Sequence, residues 1–323
     1  MHFICGVTAI EDVVPVPGRP LLIGGSYGPP PRPQPLVVLD PVSLSWSPLD
    51  TQWPDRPQPP YQACPTPMRA ALLSPHGLGI EIAPDGRGTL YVVNHGSRES
   101  IEVFSIDGRG SRVSARWIGC VVMPEGAVGN AVAALPGGGF VATKYYDDRD
   151  GPWRTQFRAR RATSAVYRWR PGRGFDRVPG GEAVADNGIE VSTDGRWVFV
   201  VSWVEKKVIR LALDGSAPPQ SIPLDFMADN IHRLPDGAML LSGQIADIDI
   251  LSSCKRARCP VDWAIARLDP ATLRVAYLLW EKGTPAFADA SGGYPVGDRL
   301  VVSPFRGDRV AVMPMPTTAL DGK

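Results

Sequence analysis

Residues 187–201 read NGIEVSTDGRWVFVV. The triplet Thr193-Asp194-Gly195 is turn chemistry, with glycine supplying a positive φ. Trp197 to Val201 then form a run of β-branched and aromatic residues, the composition of a strand. A polar residue, Asn187, stands ahead of this turn and inner strand. The same order recurs along the chain. Glu11 precedes DVVPVPGRPLLIGG, His76 precedes GLGIEIAPDGRGTLYVV, and Asn130 precedes AVAALPGGGFVATK. Asn230 precedes IHRLPDGAMLLSG, and Ser291 precedes GGYPVGDRLVVS. The six positions lie 43 to 65 residues apart. Second strands such as KVIRLAL and RVAVMPM follow. Adjacent antiparallel strands repeated six times predict an all-β, six-bladed β-propeller with a central tunnel. The six marker side chains would then converge near the axis.

Composition agrees. The chain has 323 residues with 34 glycines and 34 prolines, rich in turn formers, and 44% hydrophobic residues. Helical patterns are almost absent, and no linker divides the chain, so residues 1–323 are expected to form one domain. The formal net charge is +1, from 34 basic and 33 acidic residues. That balance argues against a nucleic-acid binder, which needs a surplus of positive charge. Two basic runs, Arg154 to Arg161 and Lys255 to Arg258, read as solvated loops. No apolar run has the length of a membrane span, and MHFICGVTAI lacks the basic and apolar regions of a signal peptide.

Three irregular segments interrupt the pattern: Gly28 to Pro67, Asp147 to Ala162 and Ile245 to Asp262. The first holds the strand PLVVLD and reads as outer strands of the first blade plus a long proline-rich loop. All three are expected to reach over one face as lids and to set specificity. Of five cysteines, Cys254 and Cys259 bracket Lys-Arg-Ala-Arg, where a local disulfide is one reading and free thiols the other. A zinc site there has no second Cys/His pair nearby.

The most distinctive pieces are Ile10-Glu11-Asp12, Pro75-His76-Gly77, the run Leu90 to His95 with Glu102-Val103-Phe104, Asn187-Gly188-Ile189 followed by Ser192 to Arg196, and Asp229-Asn230-Ile231. In this order, at blade spacing, the chain from about Glu11 to Pro314 resembles the paraoxonase/arylesterase family of six-bladed, calcium-dependent lactonases. It resembles more distantly the strictosidine synthase and gluconolactonase-like propellers. The resemblance implies one catalytic calcium held by Glu11, Asn130, Asn187, Asp229 and Asn230. The chemistry is sensible in itself: calcium takes six to eight oxygen ligands, and all-oxygen ligation disfavours zinc. Asparagine and aspartate also cap turns, but five at matching points of successive repeats favour a shared site. The family's second, structural calcium uses the residue matching Asp12 and a carboxylate where this chain has Ala131, so that site is incomplete here. The backbone carbonyl of Leu78 would not replace the missing charge.

Two of the four histidines, His76 and His95, match the family's catalytic dyad, in which one imidazole deprotonates water and the other supports it. His232 is read as lining the same cavity or sitting in the core, and His2 as a terminus without a role. Asp186 is expected to accept a bond behind Asn187 or to cap a turn. Lys144, Tyr145, Tyr146, Phe287 and Tyr294 are candidates for the pocket wall, with packing as the plainer reading. No nucleophile elbow, phosphate loop or dinucleotide fingerprint is present.

The resulting expectation is a calcium-dependent hydrolase of small-molecule lactones and aryl esters, with no nucleic-acid partner and no membrane span. The rivals are a metal-free, strictosidine synthase-like enzyme using Glu11 and a non-catalytic binding propeller. Without the hydrophobic N-terminal helix of the family's animal members, no lipoprotein attachment is expected. A Cys254–Cys259 bridge and calcium outside the cytoplasm would suit a periplasmic or secreted protein.

Overall fold

Three Asp-Gly turns close their hairpins by the same device. In the computed structural model, which describes residues 1–28, 35–253 and 260–320, the backbone N–H two residues after Asp85, Asp194 or Asp236 donates to that aspartate's Oδ1. The following glycines, Gly86, Gly195 and Gly237, adopt φ of 82°, 69° and 87°. These values are comfortable only without a Cβ. The hairpins build six mainly antiparallel sheets.

The innermost strands are Ile10–Pro15, Pro75–Ile82, Ala127–Ala134, Asp186–Val191, Met227–Arg233 and Ala290–Val296. Each packs against the innermost strand of the blade before and after it, and the last packs on the first. This closed ring is a six-bladed β-propeller. The ring is fastened in the sixth blade, where the N-terminal strand His2–Cys5 pairs with Arg309–Pro314, His2 opposite Val312.

The marker residues lie one strand further in than their sequence context predicts. Each sits inside the innermost strand, and the apolar run after the turn is the second strand of the blade. The ladder register slips at every marker: between Ile10 and Asp12, Pro75 and Leu78, Gly129 and Val132, Asp186 and Ile189, Ala228 and Asn230, and Ala290 and Gly292. Such bulges re-aim a side chain and free a backbone group from the ladder. Bulges at one level release Glu11, His76, Asn130, Asn187 and Ser291 from their ladders, whereas in blade 5 the released residue is Asp229 and Asn230 stays paired opposite Ser242.

The second strands are apolar on both faces because both faces are buried. Leu90 and Val92 join the seam between blades 1 and 2, and Tyr91 and Val93 the seam between blades 2 and 3. Val198 and Val200 alternate with Phe199 and Val201 in the same way two blades later. One hydrophobic cluster fills each seam, at about 1.5–3 kcal/mol for each large side chain fully withdrawn from water.

Glycine follows the marker in blades 2, 4 and 6. A Cβ on Gly77 would stand 2.6 Å from Ala131 Cα, and one on Gly188 2.8 Å from Asn230 Cα. At Gly292 it would stand 3.0 Å from the Glu11 carbonyl oxygen. The innermost strands therefore approach one another too closely for a side chain on that side.

The irregular segments find places. Leu36–Asp40 and Ser45–Pro48 are the outer strands of blade 1, as expected. Asp50–Gln52 then pairs in parallel with Ser114–Val122, the outermost antiparallel strand of blade 2. The proline-rich stretch beyond is pinned to that strand by a Cys64–Cys120 disulfide, a pairing across 56 residues that spacing did not suggest. Cys5 is free, and the expected Cys254–Cys259 bridge lies outside the described residues. Helix α1 (Trp153–Arg158) and helix α2 (Ile248–Ser253) each link the second and third strands of a blade, and they touch over one face. Phe157 of α1 and Leu251 of α2 join Trp203 in an aromatic and aliphatic cluster. No helix among the described residues is long and apolar enough to cross a membrane.

Candidate active site

A cavity of about 980 Å³ opens on the face covered by the two helices and descends to the axis. Glu11, His76, His95, Asn130, Asn187 and Asp229 all line it. Asn230 stands behind, 2% exposed, and its amide Nδ2 donates to Glu11 Oε1 at 2.7 Å. It thereby positions the glutamate. Ser291, the marker without expected chemistry, does similar work: its hydroxyl donates to the Glu11 carbonyl at 2.7 Å.

The floor is rich in acceptors that lack donors. Glu11 Oε2, Asn130 Oδ1 and Asn187 Oδ1 are buried with no hydrogen-bond partner among the described residues. Burial, then the charges of Asp12 and Asp229, push the Glu11 carboxyl well above its usual range. Burial likewise raises Asp229, against the bonds it accepts from Gln244 and Asn187. Buried unpaired carboxylates and orphaned oxygens are costly unless something supplies positive charge. A hard divalent cation would satisfy this donor set, with Glu11, Asn130, Asn187 and Asp229 facing the cavity and Asn230 beside Glu11. Among the described residues no three His, Cys, Asp or Glu side chains are grouped to hold a metal. The floor has only two such carboxylates and draws its other oxygens from amides.

The residues at the second expected ion position do not suit a cation. Asp12 Oδ2 accepts from the Leu78 N–H at 2.8 Å, and Oδ1 accepts from the Val13 N–H at 2.8 Å. Oδ1 also meets His232 Nε2 at 2.6 Å. His232, buried below the cavity rather than lining it, is pulled down by desolvation but carried above its usual value by the Asp12 carboxylate. An imidazole from blade 5 and backbone donors from blades 1 and 2 therefore occupy the carboxylate.

The histidines form a directed chain. His95 Nδ1 lies 2.9 Å from both Glu99 oxygens, and His95 Nε2 lies 2.8 Å from His76 Nδ1. A carboxylate accepts only, so His95 carries its proton on Nδ1 and offers Nε2 as acceptor. His76 then donates from Nδ1, which leaves the Nε2 lone pair facing the floor, 3.9 Å from Glu11 Oε1 and 3.5 Å from Asn130 Nδ2. Burial, with the neighbouring His95 adding to it, holds the His76 imidazole well below its usual 6.5. Tyr27 covers His76, ring centroids 4.5 Å apart, and burial pushes its hydroxyl up to about 12.

Asn94, fully buried, sets both histidines at once. Its Oδ1 accepts from the N–H groups of Ser74 at 2.9 Å and Gly96 at 3.0 Å, and its Nδ2 donates to the Arg98 carbonyl at 2.9 Å. The turn carrying His95 is thus tied to the residue two before His76. Thr143 performs a comparable task, donating to the Asn187 carbonyl at 2.8 Å and accepting from the Ala131 N–H at 3.0 Å.

Other expectations divide. Tyr145 and Tyr146 line the cavity, whereas Lys144 pairs with Asp147 at 2.9 Å. Phe287 and Tyr294 pack in the core. Asp186 neither caps a turn nor supports Asn187: both its oxygens are buried without a donor among the described residues. Glu99, Tyr27 and the Phe305–Asp308 rim did not emerge from the sequence. A carboxylate four residues after a dyad histidine was the one available signal for Glu99. Of the expected lids, Trp153, Arg154 and Leu251 from the second and third segments reach the cavity, as does Gly28 from the first.

Fold and site together define a six-bladed propeller with an acidic, amide-rich floor under a histidine pair. Among solved structures the chain is similar to a gluconolactonase from Xanthomonas campestris, at 16% identity over 97% of this chain and 89% of that one, with a TM-score of 0.57. It is also similar to a structural-genomics target proposed to be a gluconolactonase, at 14% identity, 99% and 93% coverage and a TM-score of 0.54. A third is a luciferin-regenerating enzyme, at 12% identity, 98% and 97% coverage and a TM-score of 0.53. At these identities the likeness establishes the six-bladed propeller fold and nothing finer. No protein-family profile and no curated protein matches the chain.

Proposed function

We propose that this chain is a calcium-dependent hydrolase that opens lactones and cleaves aryl esters, as the paraoxonase-like motifs imply. The observation that carries the reading is the meeting of two features on one floor. The His76 lone pair, set by His95 and Glu99, looks onto the orphaned oxygens of Glu11, Asn130 and Asn187. Calcium bound by Glu11, Asn130, Asn187, Asp229 and Asn230 would supply a hard Lewis acid for the ester carbonyl and its developing oxyanion.

The chain's own residues handle the proton. His76 is neutral at pH 7 because its imidazole is held well below 6.5, so Nε2 can take a proton from the attacking water. The charge that develops on His76 is shared through Nδ1 with His95 and Glu99. Water oxygen bonds to the carbonyl carbon, the ring C–O bond breaks, and the proton held by His76 passes to the leaving alkoxide. The product is a hydroxy acid. Tyr27 packed against His76 and the walls of Tyr145 and Tyr146 exclude bulk water from the base.

Metal analysis of the purified protein, with a lactone and aryl-ester panel assayed before and after chelation, tests the reading. Stoichiometric calcium and turnover lost on chelation and restored by calcium are expected. Unchanged turnover after exhaustive EDTA dialysis would sink the metal mechanism. Asp229→Ala should lose both metal and activity.

A further inference from the structure

Neither histidine of the pair is held by a strand ladder. His76 lies in the bulge between Pro75 and Leu78, and His95 lies past the last pair of its hairpin, Asn94 with Ser100. His95 and Glu99 stand on the short turn 95–99 between the second and third strands of blade 2. The segment from Cys64 to His76 faces that turn and meets it at three points. Arg98 Nη1 donates to the Thr66 carbonyl at 2.8 Å and to Thr66 Oγ1 at 2.6 Å. The Leu72 carbonyl packs so closely on Gly96 that a Cβ there would overlap its oxygen. The Ser74 carbonyl accepts from the His95 N–H at 3.1 Å.

Arg98 is itself held from behind. Its Nε donates to Glu102 Oε1 at 2.9 Å and its Nη2 to Oε2 at 3.2 Å. Glu102 is fully buried, and its oxygens also accept from Ser100 Oγ at 2.7 Å and Trp117 Nε1 at 2.8 Å. Glu102 lies opposite Cys120 in the ladder, and Cys120 is bonded to Cys64, two residues before Thr66. A closed path therefore runs from Cys120 through Cys64, Thr66, Arg98 and Glu102 back to Cys120. A buried ion pair adds little stability over an apolar pair of similar size. What it supplies here is direction, because a planar guanidinium bonded along two edges has one orientation.

We infer that Arg98 is a positioning residue for the histidine pair: by bridging Glu102 and Thr66 it clamps the turn of His95 and Glu99 against the segment that leads to His76. As a role in catalysis this rests on the hydrolase reading; as a statement about the two rings it stands on the contacts alone. Asn94 ties the near end of the turn to Ser74, and Arg98 ties its far end to Thr66. With both ends fixed, His95 Nε2 stays 2.8 Å from His76 Nδ1. A displacement of about 1 Å between catalytic groups can cost up to about 10²-fold in rate.

Three variants separate positioning from folding. Arg98→Lys keeps a cation beside Glu102 but lacks the fork that also reaches Thr66. The double variant Arg98→Met with Glu102→Leu removes both charges together and so leaves no buried unpaired carboxylate. Thr66→Val, at an exposed position, removes only the Oγ1 acceptor. Proton NMR reads the rings directly, because hydrogen-bonded imidazole N–H protons resonate downfield of the amides. The wild type should show resonances for His95 Nδ1–H and His76 Nδ1–H, assigned by their loss in His95→Asn and His76→Gln. Arg98→Lys and the double variant should keep the fold by circular dichroism, lose or broaden these resonances, and lower lactone kcat by about tenfold with KM little changed. Thr66→Val should shift the same resonances. Resonances unchanged in all three variants, or kcat unchanged in both Arg98 variants, overturn the inference. If the wild type hydrolyses no lactone, the hydrolase reading fails separately. The resonances then decide: their loss in folded Arg98→Lys upholds the clamp, and their persistence rejects it.

Discussion

Glu99 grips His95 with both carboxylate oxygens at 2.9 Å from Nδ1, and this contact determines which nitrogen of His76 is free. Glu99 also accepts from the Gly129 N–H at 3.3 Å, which ties it to the strand of Asn130. Glu99→Gln can present an N–H to His95 and stabilise the opposite tautomer, disorienting the chain. Lactone kcat should fall by about tenfold or more with KM little changed, while His76→Gln should cost about 10²- to 10⁴-fold. Steady-state kinetics on both variants measures this. Equal kcat for wild type and Glu99→Gln would leave the carboxylate without a role in the chemistry.

The acid limb of activity should reflect His76. Its imidazole is depressed by burial first and by His95 second, so the base stays neutral to lower pH than an ordinary histidine. The kcat/KM profile should hold its plateau down through pH 6.5 and decline only below it. His95→Asn removes the neighbouring imidazole and should move that limb upward. A limb at or above 6.5 in the wild type would contradict the burial argument.

Ring closure leaves no room for a side chain beside Asn187. Gly188→Ala would drive a Cβ to within 2.5 Å of the Asp229 carbonyl oxygen and 2.8 Å of Asn230 Cα. Backbone, not a flexible side chain, must move. Urea denaturation should show a loss of about 1–3 kcal/mol, accompanied by weaker metal retention because Asp229 and Asn230 are displaced together. By contrast, Gly215→Ala, with nothing within 4 Å of its Cβ but a φ of 72°, should weaken stability without touching the metal.

The Asp12–His232 pair should make stability depend on pH. His232 is raised above 6.5 in the fold: burial opposes its charge, but Asp12 outweighs that. Its contribution is then fully present below the unfolded value near 6.5 and is lost as pH rises through the folded value. His232→Asn leaves Asp12 buried with one donor fewer and should cost on the order of 3 kcal/mol. Thermal unfolding from pH 5 to 9 should show a decline in the wild type that the variant lacks.

Local patterns carried the repeat a long way. A turn triplet, a β-branched strand and a polar residue at steady intervals specify hairpins, and hairpins of this spacing can bury both faces only by joining in a ring. Glu11, His76, Asn130, Asn187, Asn230 and Ser291 could therefore be assigned to one axis before any coordinates, though Asp229, known only through the family resemblance, faces the cavity where Asn230 stands behind. Their strand could not, because a bulge is a property of pairing and leaves no mark on one strand alone. Other features also depended on distant partners. Cys64 finds Cys120 because the proline-rich stretch folds back on blade 2. His232 finds Asp12 across 220 residues. Such contacts join segments whose separation in the chain is bridged by the ring and not by any local propensity. The sequence by itself determined the blades and the residues that point inward. The tertiary structure decided which of those residues touch, which tautomer they hold and where charge gathers, since these depend on distances that exist only once the ring is closed.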